Sequence, residues 1–315
     1  MRSLPLVALI LVSACAPLGA PTTTPRVSPR IERLLVGGDL EGSLGARARL
    51  LEAAGPPQLA ARAGRRGSDA IADLVGAYAS DAGTLAVVGP GVFVSELLDA
   101  ATPRLAEAVP VARLASEALV LAVAPASSIE DAKALRARLE RDASGVRFAG
   151  AELGSLEHHL AALLVKEATG GVRGLVFAAY AGTPQAVAAV AGGQSEVLVA
   201  RFGDLRAELR SGRLRPLAVT STERLPGSDI PTLRQSGIDL VLLDWALLVA
   251  PPRITLAELG SLREQARRAH AAAAWTDAVR RNGWVDDFST EAMTTFVGTE
   301  LSRATASLRD LALIR

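Results

Sequence analysis

The sequence is poor in the residues that most often announce a chemistry. Among 315 residues there is one cysteine, Cys15, and there are three histidines. A single cysteine excludes a disulfide framework and any cysteine-based metal site. Aromatics make up 3% of the chain, too few for the stacking platforms that bind single-stranded nucleic acid. A dominant sign of charge is missing as well. With 34 basic and 33 acidic residues the formal net charge is +1, so no global field points to nucleic acid or to an anionic membrane. All but two of the basic residues are arginines, scattered among acids as solvated faces and ion pairs are.

What is present is apolar bulk. Half of the residues are hydrophobic, enough at this length for a large core split between two domains. Residues 1–14 are a short Arg-bearing start and a Leu/Val/Ala/Ile run, too short to span a bilayer and read as a signal peptide. The run ends Val12-Ser-Ala-Cys15, which resembles a bacterial lipobox. A leader cut elsewhere would discard Cys15, but the only cysteine of the chain stands at this one spot, so we read it as an acylated anchor. Residues 15–29 then form a Pro/Thr-rich tether. The protein is expected outside the cytoplasmic membrane, attached to a membrane by its lipid anchor only.

From Ile31 onward short apolar strands alternate with helices, the pattern of a mostly parallel α/β sheet whose loops carry the work. Gly37 and Gly42 have the spacing of a phosphate loop, but Ser43 stands where the lysine is needed. His158 and His159 are neighbours and diverge by about 100° on a helix, a poor geometry for one metal. A packed or capping histidine is the stronger reading, and no metal or cofactor is expected. No Gly-X-Ser-X-Gly turn supports a triad. Asp286-Asp287 reads as exposed acids ahead of a helix, and Ser289-Thr290 with Glu291 as the cap of the last helix. In Tyr180-Ala-Gly-Thr-Pro-Gln a strand ends and a helix starts, with Thr183 as cap and Pro184 at the first helical position.

That stretch opens a longer match. Tyr180, Gly182, Gly192-Gly-Gln194, Glu196, Ser211 through Ser221, Ile230-Pro-Thr232, Gly237, Trp245 and Ala250-Pro251 keep the order and spacing of the extracytoplasmic receptors of tripartite tricarboxylate transporters, the Bug-type receptors. The resemblance implies a two-lobed, periplasmic-binding-protein-like type II fold, each lobe a mostly parallel sheet flanked by helices. Residues 30–121 with 247–315 would form one lobe and 122–246 the other. It also implies a monomeric receptor, not an enzyme, that delivers a small carboxylate to a membrane permease. The family's first ligand loop falls on Leu40, Glu41, Gly42 and Gly45; here it keeps Gly42 and the following Ser43, a helix start expected to touch ligand, and lacks its proline and aspartate. A second loop falls on Gly154, Ser155 and His158. Tyr180, Gly182 and Thr183 form a third. Arg201, at the carboxyl end of a strand, could take a carboxylate bidentately or pair with Asp204 at the rim. The altered first loop leaves a rival, a tethered sensor or scaffold on this fold that no longer binds a ligand. An enzyme on the fold would need a nucleophile and base facing the cleft.

Overall fold

The computed structural model describes residues 29–315. The leader, the proposed acyl site at Cys15 and the tether up to residue 28 lie outside the described residues.

Strands and helices alternate from the start: β1 (Arg33–Val36), α1 (Ser43–Ala48), β2 (Gln58–Ala61), α2 (Ser68–Val75), β3 (Thr84–Val88), α3 (Gly91–Leu98) and β4 (Val109–Arg113). There follow β5 (Glu117–Val123), α4 (Ala132–Asp142), β6 (Arg147–Gly150), α5 (Leu156–Thr169), β7 (Val176–Ala179) and α6 (Thr183–Ala191). Next come β8 (Val197–Arg201), α7 (Phe202–Arg210) and β9 (Arg215–Val219). The chain returns through β10 (Leu243–Asp244) and β11 (Leu247–Ala250) and ends in α8 (Leu256–His270), α9 (Ala273–Asn282) and α10 (Met293–Asp310).

Two sheets result, ordered β2-β1-β3-β11-β4 and β10-β5-β8-β6-β7, with β9 also paired to β5. One strand of each runs against its neighbours, β11 in the first and β5 in the second. Each is the strand entered directly from the other sheet. β3 and β5 are buried at every position, which is why they read as unbroken apolar runs rather than alternating ones. Side chains pack on both faces of each sheet: Leu34, Leu248, Trp275 and Trp284 on one side of the first, Leu35, Val88, Phe93 and Trp245 on the other.

The chain passes between sheets at Leu114–Ser116 and again at Trp245–Ala246. The two passages are tied by the Leu114 N–H donating to the Ala246 carbonyl at 2.8 Å. Segment 285–289 runs alongside, bridging Ser116 to Val285 and Arg113 to Ser289. The expected lobe boundary between residues 121 and 122 falls inside β5, and this strand lies wholly in the second sheet, since residues 119–123 ladder with β8 on one edge and residues 120–123 with β9 on the other. Local signals mislead at three more places. Thr183 is the first helical residue, not the cap, and Gly182 takes the cap position. The last helix starts at Met293, three residues beyond its expected cap. Asp287 is not an exposed helix-start acid: it accepts from Ser116 Oγ at 2.9 Å and pairs with Arg113, bracing the first passage. β2 escaped notice because Gln-Leu-Ala-Ala is short and has no alternation.

Candidate functional site

A cavity of about 640 Å³ lies between the lobes. Its walls come from loops at the carboxyl ends of strands: the β1–α1 and β3–α3 turns on one side, the β6–α5 and β8–α7 turns on the other. This is where open α/β sheets place ligands. At each turn a helix begins, so N–H groups without intrahelical partners gather around one space. Gly154 needs to be glycine here: its φ is +78°, and a Cβ would stand 3.3 Å from Val94 of the opposite lobe. Ser155 caps α5 by accepting the His158 N–H at 3.3 Å. His158 in turn accepts the Gly154 N–H at its Nδ1 and packs against Phe177 with the rings tilted by 31°, so it is the packed or capping histidine expected from sequence.

Beneath the cavity lies an ionic network that joins the lobes. Asp244, at the return passage, takes Arg47 Nη2 at 2.9 Å and Arg201 Nε at 2.7 Å on one carboxylate oxygen. A second Arg47 hydrogen bond reaches the Asp244 carbonyl. Arg201 also pairs with Glu157 at 3.2 Å. Arg47 is only 1% exposed, and its Nε, Nη1 and Nη2 all have acceptors, as a guanidinium buried this deeply requires. Burial alone would raise the Asp244 carboxyl, but Arg201 and Arg47 together hold it below the usual range. Asp244 is also the main reason the Arg201 guanidinium is held firmly protonated, against its burial. Glu117, heading β5, accepts from Ser43 Oγ and from the Gly203 N–H. Burial pushes its carboxyl upward although Arg47 lies close.

Of the residues singled out from sequence, Gly42, Ser43, Gly154, Ser155 and Arg201 line this one cavity, Gly42 and Ser43 from one lobe and the rest from the other. Two of them are already engaged: Ser43 with Glu117, Arg201 with Asp244 and Glu157 rather than with Asp204. Glu41 points outward and pairs with Arg49 at 3.1 Å. Tyr180 packs on the core of its lobe, its hydroxyl 3.5 Å from Ser195. Gly182 and Thr183 stand behind the wall, where the Thr183 hydroxyl supports Asp204 and Ala181 takes their place in the lining. Sequence reasoning missed Arg47 and Asp39 on the wall and Glu117 and Glu157 behind it, and it named Asp204 only as a rim partner for Arg201 and His159 only as a packed or capping residue, though both line the cavity. One signal was available, a lone acid inside an apolar run, which applies to Asp244 and to Glu117 at the head of β5.

Across the mouth, Arg66 of one lobe reaches Glu152 (2.9 Å) and the Leu153 carbonyl (3.3 Å) of the other. Farther out, Lys166 of α5 pairs with Asp310 of α10. Both contacts hold the lobes against each other.

The profile of the tripartite tricarboxylate transporter family receptor, TctC, matches residues 77–313. The chain belongs to this receptor family. Its members are periplasmic solute-binding receptors, not enzymes. Two curated relatives are a UPF0065 protein from the tcbD-tcbE intergenic region of Pseudomonas sp. strain P51, 27% identical over 226 residues, and a UPF0065 protein of Bordetella bronchiseptica, 31% identical over 143. These alignments take in 70% and 45% of this receptor and 66% and 41% of the relatives, so less than two thirds of each relative's length is spanned. Among solved structures the receptor superposes on a TctC solute-binding protein from Polaromonas with a TM-score of 0.73 at 19% identity, covering 90% of this chain and 99% of that one. Rpa4515 of R. palustris, solved with adipate, gives 0.71 at 21%, covering 89% and 97%. MatC of Rhodopseudomonas palustris, solved with malate, gives 0.65 at 21%, covering 89% and 99%. The two-lobed type II fold is thus the receptor's own. Among the described residues no helix is long and apolar enough to cross a membrane.

Proposed function

We propose that the receptor closes its lobes over a small carboxylic acid and hands it to the permease of a tripartite tricarboxylate-type transporter. One observation carries the reading: Ser43 and Ser155, on helix-start loops of different lobes, line the same cavity. A volume near 640 Å³ suits a metabolite-sized solute. Gly42, Gly154 and Ser155 let main-chain N–H groups approach a carboxylate closely, and such groups at helix starts favour negative charge. Neighbours of the same fold hold malate and adipate. Hinge motion about the two passages would open and close the cavity, and the closed form is what a permease would recognise. In this reading the receptor works as a monomer in the periplasm, tethered by a lipid on Cys15.

A second reading has an observation of its own. Ser43 and Arg201, two groups a ligand would use, are spent inside the protein. That favours a tethered sensor or scaffold without a ligand. Thermal unfolding against a panel of carboxylic acids separates the two. A ligand at a hundred times its Kd adds about 2.7 kcal/mol of stability, a shift of several degrees. No shift with any acid at millimolar concentration supports the scaffold. Incorporation of labelled fatty acid, lost in Cys15→Ser, tests the anchor.

A further inference from the structure

We propose that the interlobe cavity selects a solute carrying a protonated amine, an amino-carboxylic acid rather than a di- or tricarboxylate, with Asp204 as the ammonium partner. The proposal rests on the reading of the cleft as a solute site and names the class of solute. It comes from which charges on the wall are already paired. Four guanidinium groups face the cavity, and each is paired with at least one acid. Arg47 has Asp244, Arg201 has Asp244 and Glu157, Arg66 has Glu152, and Arg303 has Glu300 at 3.2 Å. Two further acids line the cavity from opposite lobes, Asp39 after β1 and Asp204 in the first turn of α7. Among the described residues neither has a basic side chain within ion-pair distance, and both are exposed to the cleft. Arg201 lies near enough to Asp204 to attract it, but its Nε and Nη1 are on Asp244 and Glu157. The charge left over in the cavity is therefore negative. A second carboxylate on a ligand would meet Asp39 or Asp204 without a free cation to receive it, whereas an ammonium would complete their pairing.

A second, independent observation points to a ligand in the same space. His159 lines the cavity, is 9% exposed, and its Nε2 has no partner. Burial, with Arg303 and His158 adding to it, holds the imidazole neutral down to about pH 4. It supplies one hydrogen-bonding atom without supplying positive charge. A solute with an ammonium for Asp204 and a carboxylate for the helix starts would satisfy the free groups of both lobes and draw them together.

Calorimetric titration of the full receptor with matched solutes tests this. Hexanoate, 6-aminohexanoate, adipate and 1,6-diaminohexane differ only at the chain ends, as do butyrate, 4-aminobutyrate, succinate and 1,4-diaminobutane. We expect the amino acid of a series to bind at least tenfold more tightly than its dicarboxylate. Asp204→Asn should erase that preference, and Asp204→Glu should restore it. The melting temperature of each variant checks that it folds. Tighter binding of adipate or succinate than of the amino acids overturns the proposal and leaves the carboxylate receptor standing. A preference for the amino acid that survives Asp204→Asn also overturns it. Binding of a diamine with no carboxylate bound keeps the amine site and removes the carboxylate reading. If no member of either series binds, both ideas fall and the scaffold remains.

Discussion

The hydroxyl of Ser43 in α1 donates to the carboxylate of Glu117, 74 residues away at the head of the strand entered after the first hinge passage. The bond joins the lobes at the floor of the cavity, and the Gly203 N–H holds the other carboxylate oxygen at 2.8 Å. Ser43→Ala leaves a buried acceptor short of a donor and should cost about 1–3 kcal/mol in urea unfolding. Glu117→Gln tests the charge. Because burial raises this carboxyl, the fold binds its proton more tightly than the unfolded chain does. The resulting penalty is absent below the unfolded pKa and fully present above the raised folded one. Glu117→Gln should remove that stretch of falling stability from the curve. An identical pH slope in the two proteins would count against a strained Glu117.

Asp244 holds two arginines on one oxygen, Arg201 at the cavity wall with 32% of its side chain exposed and Arg47 with no route to water that leaves the packing intact. Arg47 is almost fully buried, so Asp244→Ala strands its charge beside Arg201. We expect a loss of about 3–5 kcal/mol, the size seen when one member of a buried ionic group is removed. The loss should be nearly the same in 0.1 and 1 M NaCl, since salt screens buried pairs weakly. A loss that shrinks strongly with salt would mean that water reaches the network.

Arg65 and Arg66 stand in left-handed backbone, with φ of 47° and 54°, directly before Gly67 at 92°. The turn is forced by the close approach of Gly67 to Gly37, where a Cβ would lie 2.5 Å from the Gly37 carbonyl oxygen. A left-handed non-glycine residue costs about 1–2 kcal/mol. Arg65→Gly relieves that, returns about 0.5–1 kcal/mol in chain entropy and gives up only an exposed pair with Asp69. The net expectation is a gain of up to about 1 kcal/mol, whereas Arg65→Val should lose at least that much. Chemical unfolding of the two variants side by side checks the difference. Equal stabilities would show that the turn relaxes to another conformation.

Local features were legible in the sequence and long-range ones were not. Helix starts at Gly42-Ser43 and Ser155, the alternation of strands with helices, and the Tyr180–Pro252 pattern are written in neighbouring residues, and the structure brings the first two to one cavity. Gly182-Thr183 obeyed the same local rules yet stands behind the wall, because the placement of β7 at the sheet edge, not its turn, decides what faces the cleft. Arg47 and Asp244 are 197 residues apart, and nothing in either neighbourhood names the other. Arg201 was legible as a strand-end cation, but its partners sit 44 residues before it and 43 after it. What the alternation of elements could not carry was which charges would be spent on holding the lobes together.

His159 makes the receptor sensitive to mild acid. Its folded pKa lies near 4, well below the ordinary histidine value of 6.5, chiefly through burial. Here the unfolded chain binds the proton more tightly, so stability is complete above about pH 6.5 and is lost as pH falls toward 4. Two and a half units of separation correspond to about 3 kcal/mol over that window. Glu117 acts in the opposite sense over a nearby range, so the wild-type curve alone does not isolate the histidine. The difference between wild type and His159→Gln does. Glutamine keeps a hydrogen-bonding group at this buried position and cannot protonate. The variant should be less stable than wild type at pH 7.5 through imperfect packing, and should draw level with it or overtake it by pH 4.5. Parallel curves across the window would show that the imidazole titrates in contact with water, and that the wall of the cavity near α10 is open where the structure closes it.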